Sequence, residues 1–580
     1  MENKEGFENA IVSFFFSLKR IQLSKEHDQY MHYLMSSFDK IVHFLKQRLV
    51  AELSSEDFSE KYADKYFDLL YRLILFTRDI TFGMGEQTLS HLLIFIWYKY
   101  FPVHACSILN FLPQYSPVFA RCGHGSVGSW RDVVFFCKFV KYFVGEECPI
   151  IETCVGMLNH QLDLDLQLIK KRDELGLEYI KEDGKKHGLS LVAKWIPREK
   201  SQFGWLFDRC VIQWVRSFRP MYFSSVVTSE QFQKALKKGK GEYRKIVSDV
   251  SKKLYNVQYK QCSHMWGSID LKQVSLTTRS TQHNALFNVG KNGEPRAKTF
   301  NNDDRNSCKN NSQAYYLKKA KETPLNKQLG LFLGPILKNI MELDNPDSII
   351  ADEKIVSLLK TWEYSLEQFG GFEHVLPFLD LSLFGVDAWW DAMAMSIMIA
   401  LKSSLGVRIM AYDYEPVWIA FEDSTNFLAM FRKVISIAKQ RKKEIGLGVS
   451  LIPAMDKVCE GFVQSQTLPA IVNSTICIVF STFPGGIAAL KEEHSKIRNL
   501  FSLAYSSEIL PHMVYWNVGS CHVDSFCVKT WSIRSFEYTL FAGGSSCLLK
   551  YLGTLSCLEW KQLTSFELLD RILQKFPLIT

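Results

Sequence analysis

At 580 residues the chain exceeds what one hydrophobic core organises, so two or more domains are expected. A hydrophobic content of 47% with 22% charged residues excludes extensive disorder, and a formal net charge of +8 is compatible with nucleic acid without requiring it. The 14 cysteines form no C-x-x-C pair and no Cys/His cluster at zinc spacing, which points to reduced thiols in a cytosolic or nuclear compartment.

The first twenty residues carry acids ahead of a short apolar run and offer no small-residue cleavage site, so they read poorly as a secretory signal. Helix then follows helix to about Gly145. Apolar residues recur at helical spacing over His27–Leu49 (Met31, Leu34, Phe38, Ile41, Leu45), Phe67–Phe76 and Leu89–Tyr100. Residues 91–111 are interrupted by Lys99, Pro102 and His104 and read as two buried helical pieces, so no membrane span and no membrane partner are expected. Short turns between such helices suggest stacked antiparallel pairs, as in a helical solenoid.

Two of these turns are specific in composition. Thr77–Glu86 carries Gly83 and Gly85 between apolar helices, and Gly128–Asp132 opens the helix Val133–Val144. Arg78 and Arg131, each followed by an aspartate, either tie neighbouring helices through charge-assisted hydrogen bonds or contact phosphate. Gly123–Gly128 matches G-x-G-x-x-G, but no strand precedes it, so a dinucleotide site is not expected.

The middle of the chain is basic and aromatic. Lys234, Lys237, Lys238, Lys240, Arg244, Lys245, Lys252, Lys253 and Lys260 face only Glu242 and Asp249 in sequence, with Tyr243, Tyr255, Tyr259 and Trp266 nearby. One reading is a solvated helix face over an aromatic core. The other is an RNA surface on which the cations neutralise phosphates and the rings, Tyr255 among them, stack on unpaired bases. Residues 290–321 are polar and read as a loop or insertion, followed by helices over Leu325–Leu343 and Ile350–Leu366.

Past Gly370 strands alternate with helices, which implies a mostly parallel, doubly wound sheet. Val375–Leu379 reads as a buried strand and Ala388–Leu401 as a covering helix. A hairpin extension (Gly406–Tyr412, Val417–Phe421), helices over Thr425–Arg441 and Ala454–Gln464, a strand Ala470–Ser481, a helix Gly486–Leu503 and a strand His512–Val518 follow. Closing helices are expected over Ser546–Tyr551 and Thr564–Lys575. Asp380 and Ser382 stand where the first strand ends, placed either to hold a divalent cation or to cap the next helix.

The succession TRDITFGMGE, GSWRDVVFFCKFV, AKWIPREKS, YRKIVSDVSKKL, VQYKQC and W-x-x-ID resembles an uncharacterised family of large cytoplasmic DNA viruses and plants, itself similar to the TROVE module of the Ro ribonucleoprotein. The resemblance implies a HEAT-like helical repeat array, possible as a ring, over residues 1–369 and a von Willebrand factor A-like α/β domain over 370–580. It implies structured or single-stranded RNA as partner, a protein partner at the A domain, and a cytoplasmic or virion location. The family's adhesion-type metal site would fall on Asp380, Ser382 and Ser450, but Phe384 and Thr482 replace two of its expected ligands. Only a degenerate site, with weak Mg2+ binding at most, is implied.

No serine, histidine and acid cluster, H-E-x-x-H motif or phosphate loop occurs, so an enzyme is not expected. The leading expectation is a non-enzymatic RNA-binding or ribonucleoprotein scaffold. The alternative is a structural or protein-interaction component of a virus particle or assembly site.

Overall fold

The computed structural model describes residues 4–18, 27–53, 62–79, 83–114, 126–175, 188–224, 226–254, 256–274, 276–290, 294–295, 302–321, 366, 372–421, 427–441, 449–483, 486–505, 509–518, 538–542, 565–574 and 576. In chain order its longer helices begin with α1 (Lys4–Ser17), α2 (His27–Leu53), α3 (Ala63–Arg78), α4 (Gln87–Tyr100) and α5 (Pro102–Phe111). There follow α6 (Trp130–Phe143), α7 (Pro149–Glu174), α8 (Gly204–Phe218), α9 (Ser229–Lys253) and α10 (Asn302–Lys321). The second part runs β1 (Val375–Asp380), α11 (Asp387–Lys402), β2 (Arg408–Tyr412), β3 (Val417–Ala420), α12 (Phe427–Arg441), α13 (Ile452–Gln464), β4 (Ile476–Ser481), α14 (Gly486–Ala504), β5 (His512–Asn517), β6 (Tyr538–Ala542) and α15 (Ser565–Leu573). A mostly helical region thus precedes an α/β domain. By Cα proximity the chain forms two units, Met1–Leu89 with Pro324–Leu578, and Ser90–Thr323 with Ile579–Thr580.

In the first unit the sheet has the order β3-β2-β1-β4-β5-β6, parallel throughout except for β3, which returns antiparallel beside β2. The central strands VLPFLD, ICIVFS and HMVYWN are buried at every position, as strands covered on both faces must be. Side chains alternate. Leu376, Phe378, Cys477, Val479, Met513 and Tyr515 join Met410 and Tyr412 against Met455, Val458 and Phe462 of α13 and Ile497 and Phe501 of α14. Helix α11, apolar nearly all round, packs across β1, β2 and β4. Each such fully buried large side chain contributes roughly 1.5–3 kcal/mol.

The same unit holds α1–α3, of which α1 and α3 lie against α15. The Tyr66 ring stands 5.7 Å from Phe566, Phe76 5.8 Å from Phe576, and Lys65 Nζ 3.7 Å from Asp570. Tyr66 donates to Glu8 Oε1 at 2.5 Å, and burial, then this bond, hold its hydroxyl above its usual pKa.

In the second unit α7 is central, with α5, α6, α8 and α9 around it. Ile151, Val155, Leu158 and Leu162 of α7 and Val211, Trp214 and Val215 of α8 are buried. A smaller core gathers Ile269, Leu271, Val274, Leu286, Phe287 and Cys308, held where Asp304 accepts the amides of Trp266 and Gly267, each at 2.7 Å.

Three segments differ from the sequence expectation. Residues 302–321, expected within a polar loop, are helical. That helix buries Arg305, Cys308 and Ser312, a mostly polar face that leaves no hydrophobic period to detect. Ala470–Ser474, expected as the start of a strand, lies in the short helix Pro469–Ser474, with proline at its first position, where the missing amide costs nothing. β6 was not anticipated. The helices expected over 325–343, 350–366 and 546–551 lie almost wholly outside the described residues. Among the described residues no helix is long and apolar enough to cross a membrane.

Candidate functional site

Helix α9 carries most of the basic cluster, and its heptad-like spacing sorts the residues by face. A capping box starts it: Thr228 Oγ1 accepts the Gln231 amide at 3.2 Å while Gln231 Oε1 accepts the Thr228 amide at 3.0 Å. Leu236, Gly239, Tyr243 and Val250 are buried against α7 and α8. Gly239 is required there, since a Cβ would fall 2.5 Å from Val215 Cγ2. At about 100° per residue, Lys234, Lys237, Lys238, Gly241, Lys245 and Lys252 occupy the opposite, exposed face.

The cations differ in how far they are already engaged. Lys234, Lys237 and Lys245 are exposed and form no ion pair with another described residue. Lys238 lies over the Tyr222 ring at 4.3 Å. Lys240 sits on a flank, 2.7 Å from Asp208 and 3.5 Å from Glu199, and Arg244 meets Glu199 at 3.0 Å. Lys252 pairs with Asp249 at 3.0 Å and Lys253 with Asp173 at 3.3 Å. Lys260, beyond the helix, donates to the Ser268 carbonyl at 2.5 Å, and partial burial lowers its pKa. Of these pairs, Lys252 with Asp249 is the most exposed on both sides and contributes little to stability.

The rings do not follow the lysines. Tyr243, expected to stack on bases, is fully buried, and its hydroxyl donates to Asn159 Oδ1 at 2.7 Å. It shares the helix face of Leu236 and Val250, which is why it points inward. One face of Trp266 is covered by the Arg305 guanidinium at 3.5 Å. Tyr255 lies outside the described residues. Sequence reasoning missed Asn159, whose Nδ2 also donates to the Cys210 carbonyl at 2.8 Å and to Gln213 Oε1 at 2.5 Å, joining α7, α8 and α9.

Arg78 is buried at the end of α3, whereas Arg131 is exposed on α6. Asp132, beside it, accepts the Ser129 amide at 2.7 Å and so caps its own helix.

The second place of interest is the carboxyl edge of the sheet, at the switch point between β1 and β4. Asp380 Oδ1 accepts the Ser382 amide at 2.9 Å and its hydroxyl at 2.6 Å, and Oδ2 accepts the Ser481 hydroxyl at 2.5 Å. Ser450, the third residue of the expected metal set, is engaged elsewhere. Its hydroxyl donates to Glu493 of α14 at 3.0 Å and accepts the Ile452 amide at 3.3 Å, starting α13. Phe384 stands edge-on to Trp389, with centroids 4.8 Å apart.

A divalent cation wants several oxygens and enough negative charge to displace its water. One carboxylate whose two oxygens already accept three hydrogen bonds does not fit that demand. Among the described residues no group of three or more His, Cys, Asp and Glu could hold a metal. Local spacing revealed Asp380 with Ser382, but Ser481 is 101 positions away from Asp380, and only the parallel pairing of β1 with β4 brings them together.

Burial raises the pKa of Asp380, the hydrogen bonds from Ser382 and Ser481 oppose the rise, and Asp413 adds to it. A carboxyl with a raised folded pKa binds a proton more tightly folded than unfolded. Its stabilising contribution is present below the unfolded aspartate pKa and is lost as pH rises through the folded value. Asp380→Asn is therefore expected to remove this pH dependence and to cost less than about 1 kcal/mol near neutrality, whereas Asp380→Ala costs about 1–2 kcal/mol by leaving two hydroxyls without an acceptor. Melting curves from about pH 4 to about pH 8 test this. Parallel profiles for wild type and Asp380→Asn would rule it out.

Compared with known proteins, the chain matches no family model, no curated protein and no solved structure.

Proposed function

We propose that this protein is a non-enzymatic RNA-binding or ribonucleoprotein scaffold, in which HEAT-like helical repeats of the TROVE kind present α9 to RNA and the same chain also carries an A-type sheet domain. The observation that carries the reading is the solvent stripe of α9. Lys234, Lys237, Lys238 and Lys245 stand in line on one helix face; Lys234, Lys237 and Lys245 form no ion pair with another described residue, and Lys238 acts electrostatically on Glu242 one turn along. A line of this kind suits a phosphate backbone, and the affinity it gives comes from counterion release. The location that goes with this reading is the cytoplasm.

A second reading, a protein-docking role for the sheet domain in a virus particle or assembly site, is favoured by Val386 and Tyr414. They are 51% and 61% exposed in the loops that follow β1 and β2. Apolar side chains at the ligand-binding edge of such a sheet suit a protein partner.

The two are separated by fluorescence anisotropy with a labelled single-stranded RNA bearing a structured 5′ portion. Changing Lys234, Lys237, Lys238 and Lys245 together to glutamate is expected to weaken binding at least tenfold and to lower the slope of log affinity against log salt by roughly 2–3. Affinity unchanged in the variant, or absent in wild type, would reject the RNA reading and leave the docking one.

A further inference from the structure

Among the lysines of α9, Lys238 has the Tyr222 ring beside it, but a second surface of the same unit carries a whole row of rings. Arg131, Phe135, Lys138 and Tyr142 follow one another along a single face of α6 at helical spacing, and Tyr142 is 75% exposed. Segment 194–205 lies against that face. The Arg131 guanidinium carbon stands 4.7 Å from the Phe135 ring centre and 5.8 Å from that of Trp195, which also has Lys194 Nζ at 5.5 Å. Phe135 meets Phe203 at 5.2 Å, and Lys138 Nζ lies 5.8 Å from Phe203 and 3.1 Å from Gln202 Oε1. Lys141 Nζ is 4.5 Å from the Trp205 ring.

Two features make this more than the covered edge of a core. Phe135, Trp195 and Trp205 are only half buried, so part of each ring remains open to solvent. Of the cations among them, Lys141 is engaged by Glu146, whereas Arg131, Lys138 and Lys194 have no carboxylate partner among the described residues. An aromatic row with a surplus of positive charge complements a polyanion that also offers flat apolar faces.

The strip is tied to α9 through its own segment. Glu199, between Trp195 and Phe203, is the residue that pairs with Lys240 and Arg244. One strand of nucleic acid could therefore lie with phosphates on α9 and bases on the strip.

We infer that the strip formed by Arg131, Phe135, Lys138, Trp195 and Trp205 takes unpaired nucleotides of RNA, stacking bases on its rings while its cations hold the adjoining phosphates. The inference rests on the RNA-binding reading and narrows it. A duplex hides its base faces, so only single-stranded segments engage the rings, and α9 alone serves a duplex.

The test uses the full chain with three labelled probes: an oligouridylate of roughly 20 nucleotides, an abasic strand of the same charge, and a duplex of the same length. Wild type is expected to bind the oligouridylate about tenfold more tightly than the abasic strand, the size of one good base–aromatic stack. The variant Trp195→Ala with Trp205→Ala should lose most of that difference while its affinity for the duplex stays within about twofold. Unchanged melting of the variant establishes that it is folded. Photocrosslinking of wild type to a 4-thiouridine strand, followed by peptide mapping, should place crosslinks in residues 131–142 or 194–205.

Equal affinity for uridylate and abasic strands, or crosslinks confined to α9, would overturn the stacking strip while leaving RNA binding intact. Wild type binding none of the three probes would remove the RNA reading itself, and the strip with it.

Discussion

Gly83→Ala is expected to disrupt the corner after α3 and to cost more than about 4 kcal/mol, the range reached only when a substitution breaks a specific structural device. A Cβ at this position would fall 1.8 Å from the Phe76 carbonyl oxygen, 2.8 Å from its carbon and 2.9 Å from the Asp79 oxygen. Every one of these is backbone, so no side chain can swing aside. The corner has little freedom to yield, because it supplies the donors that the end of α3 lacks. The amides of Met84 and Glu86 reach the carbonyls of Phe76 and Thr77 at 2.9 and 2.8 Å, and Gly85, at φ +68°, reaches that of Asp79 at 2.9 Å.

Moving Phe76 also disturbs its contacts with Phe15 at 5.4 Å and Phe576 at 5.8 Å. In a chain of this size unfolding is not a single step, so the quantity to follow is the earliest transition in a urea titration. Gly241→Ala, where a Cβ meets nothing within 4 Å, serves as the control and should leave that transition unchanged or later. Superimposable curves for Gly83→Ala and wild type would refute the close approach.

Asn159→Ala is the second large effect, at about 3 kcal/mol. Three hydrogen bonds vanish at once, two of them fully buried, leaving the Cys210 carbonyl and the Tyr243 hydroxyl without the Asn159 amide. Tyr243→Phe removes only one partner and should cost about half as much. Because Asn159 ties α9 to α7 and α8, its loss is expected to accelerate amide exchange along α9 and to weaken RNA binding although no cation is touched. Exchange confined to the neighbourhood of residue 159, with α9 as protected as before, would show that the lysine helix does not depend on this hub.

Most of the sheet could be read from residues because its strands are buried on both faces and therefore appear as uninterrupted apolar runs. Val375–Leu379 and Met513–Trp516 are such runs. Ala470–Val472 misled, since a short apolar run does not distinguish strand from helix, and Pro469 at its head was the available sign of a helix start. Tyr538–Ala542 has only five residues and no strong flanks.

The candidate site was legible as chemistry but not as geometry. The density of lysines between 234 and 260 was plain in the sequence, and helical spacing alone places Tyr243 with Leu236 and Val250 on the buried side. That Glu199, Asp208 and Asp173 neutralise the flanking cations could not be read, because these contacts join positions far apart in the chain. The same holds for Ser481 with Asp380, and for Asn159.

The seating of α1 and α3 against α15 also bears on how the chain is made. Tyr66 and Phe76 leave the ribosome roughly 500 residues before Phe566 and Phe576, their eventual neighbours. At about 5–20 residues per second that interval is on the order of half a minute to a minute and a half. During it the sides of α1 and α3 that α15 will cover lack that partner. Synthesis rate and chaperone supply, rather than equilibrium stability alone, then govern the yield of native protein, and a ribosome stalled before residue 565 leaves a nascent chain with a sticky amino-terminal segment.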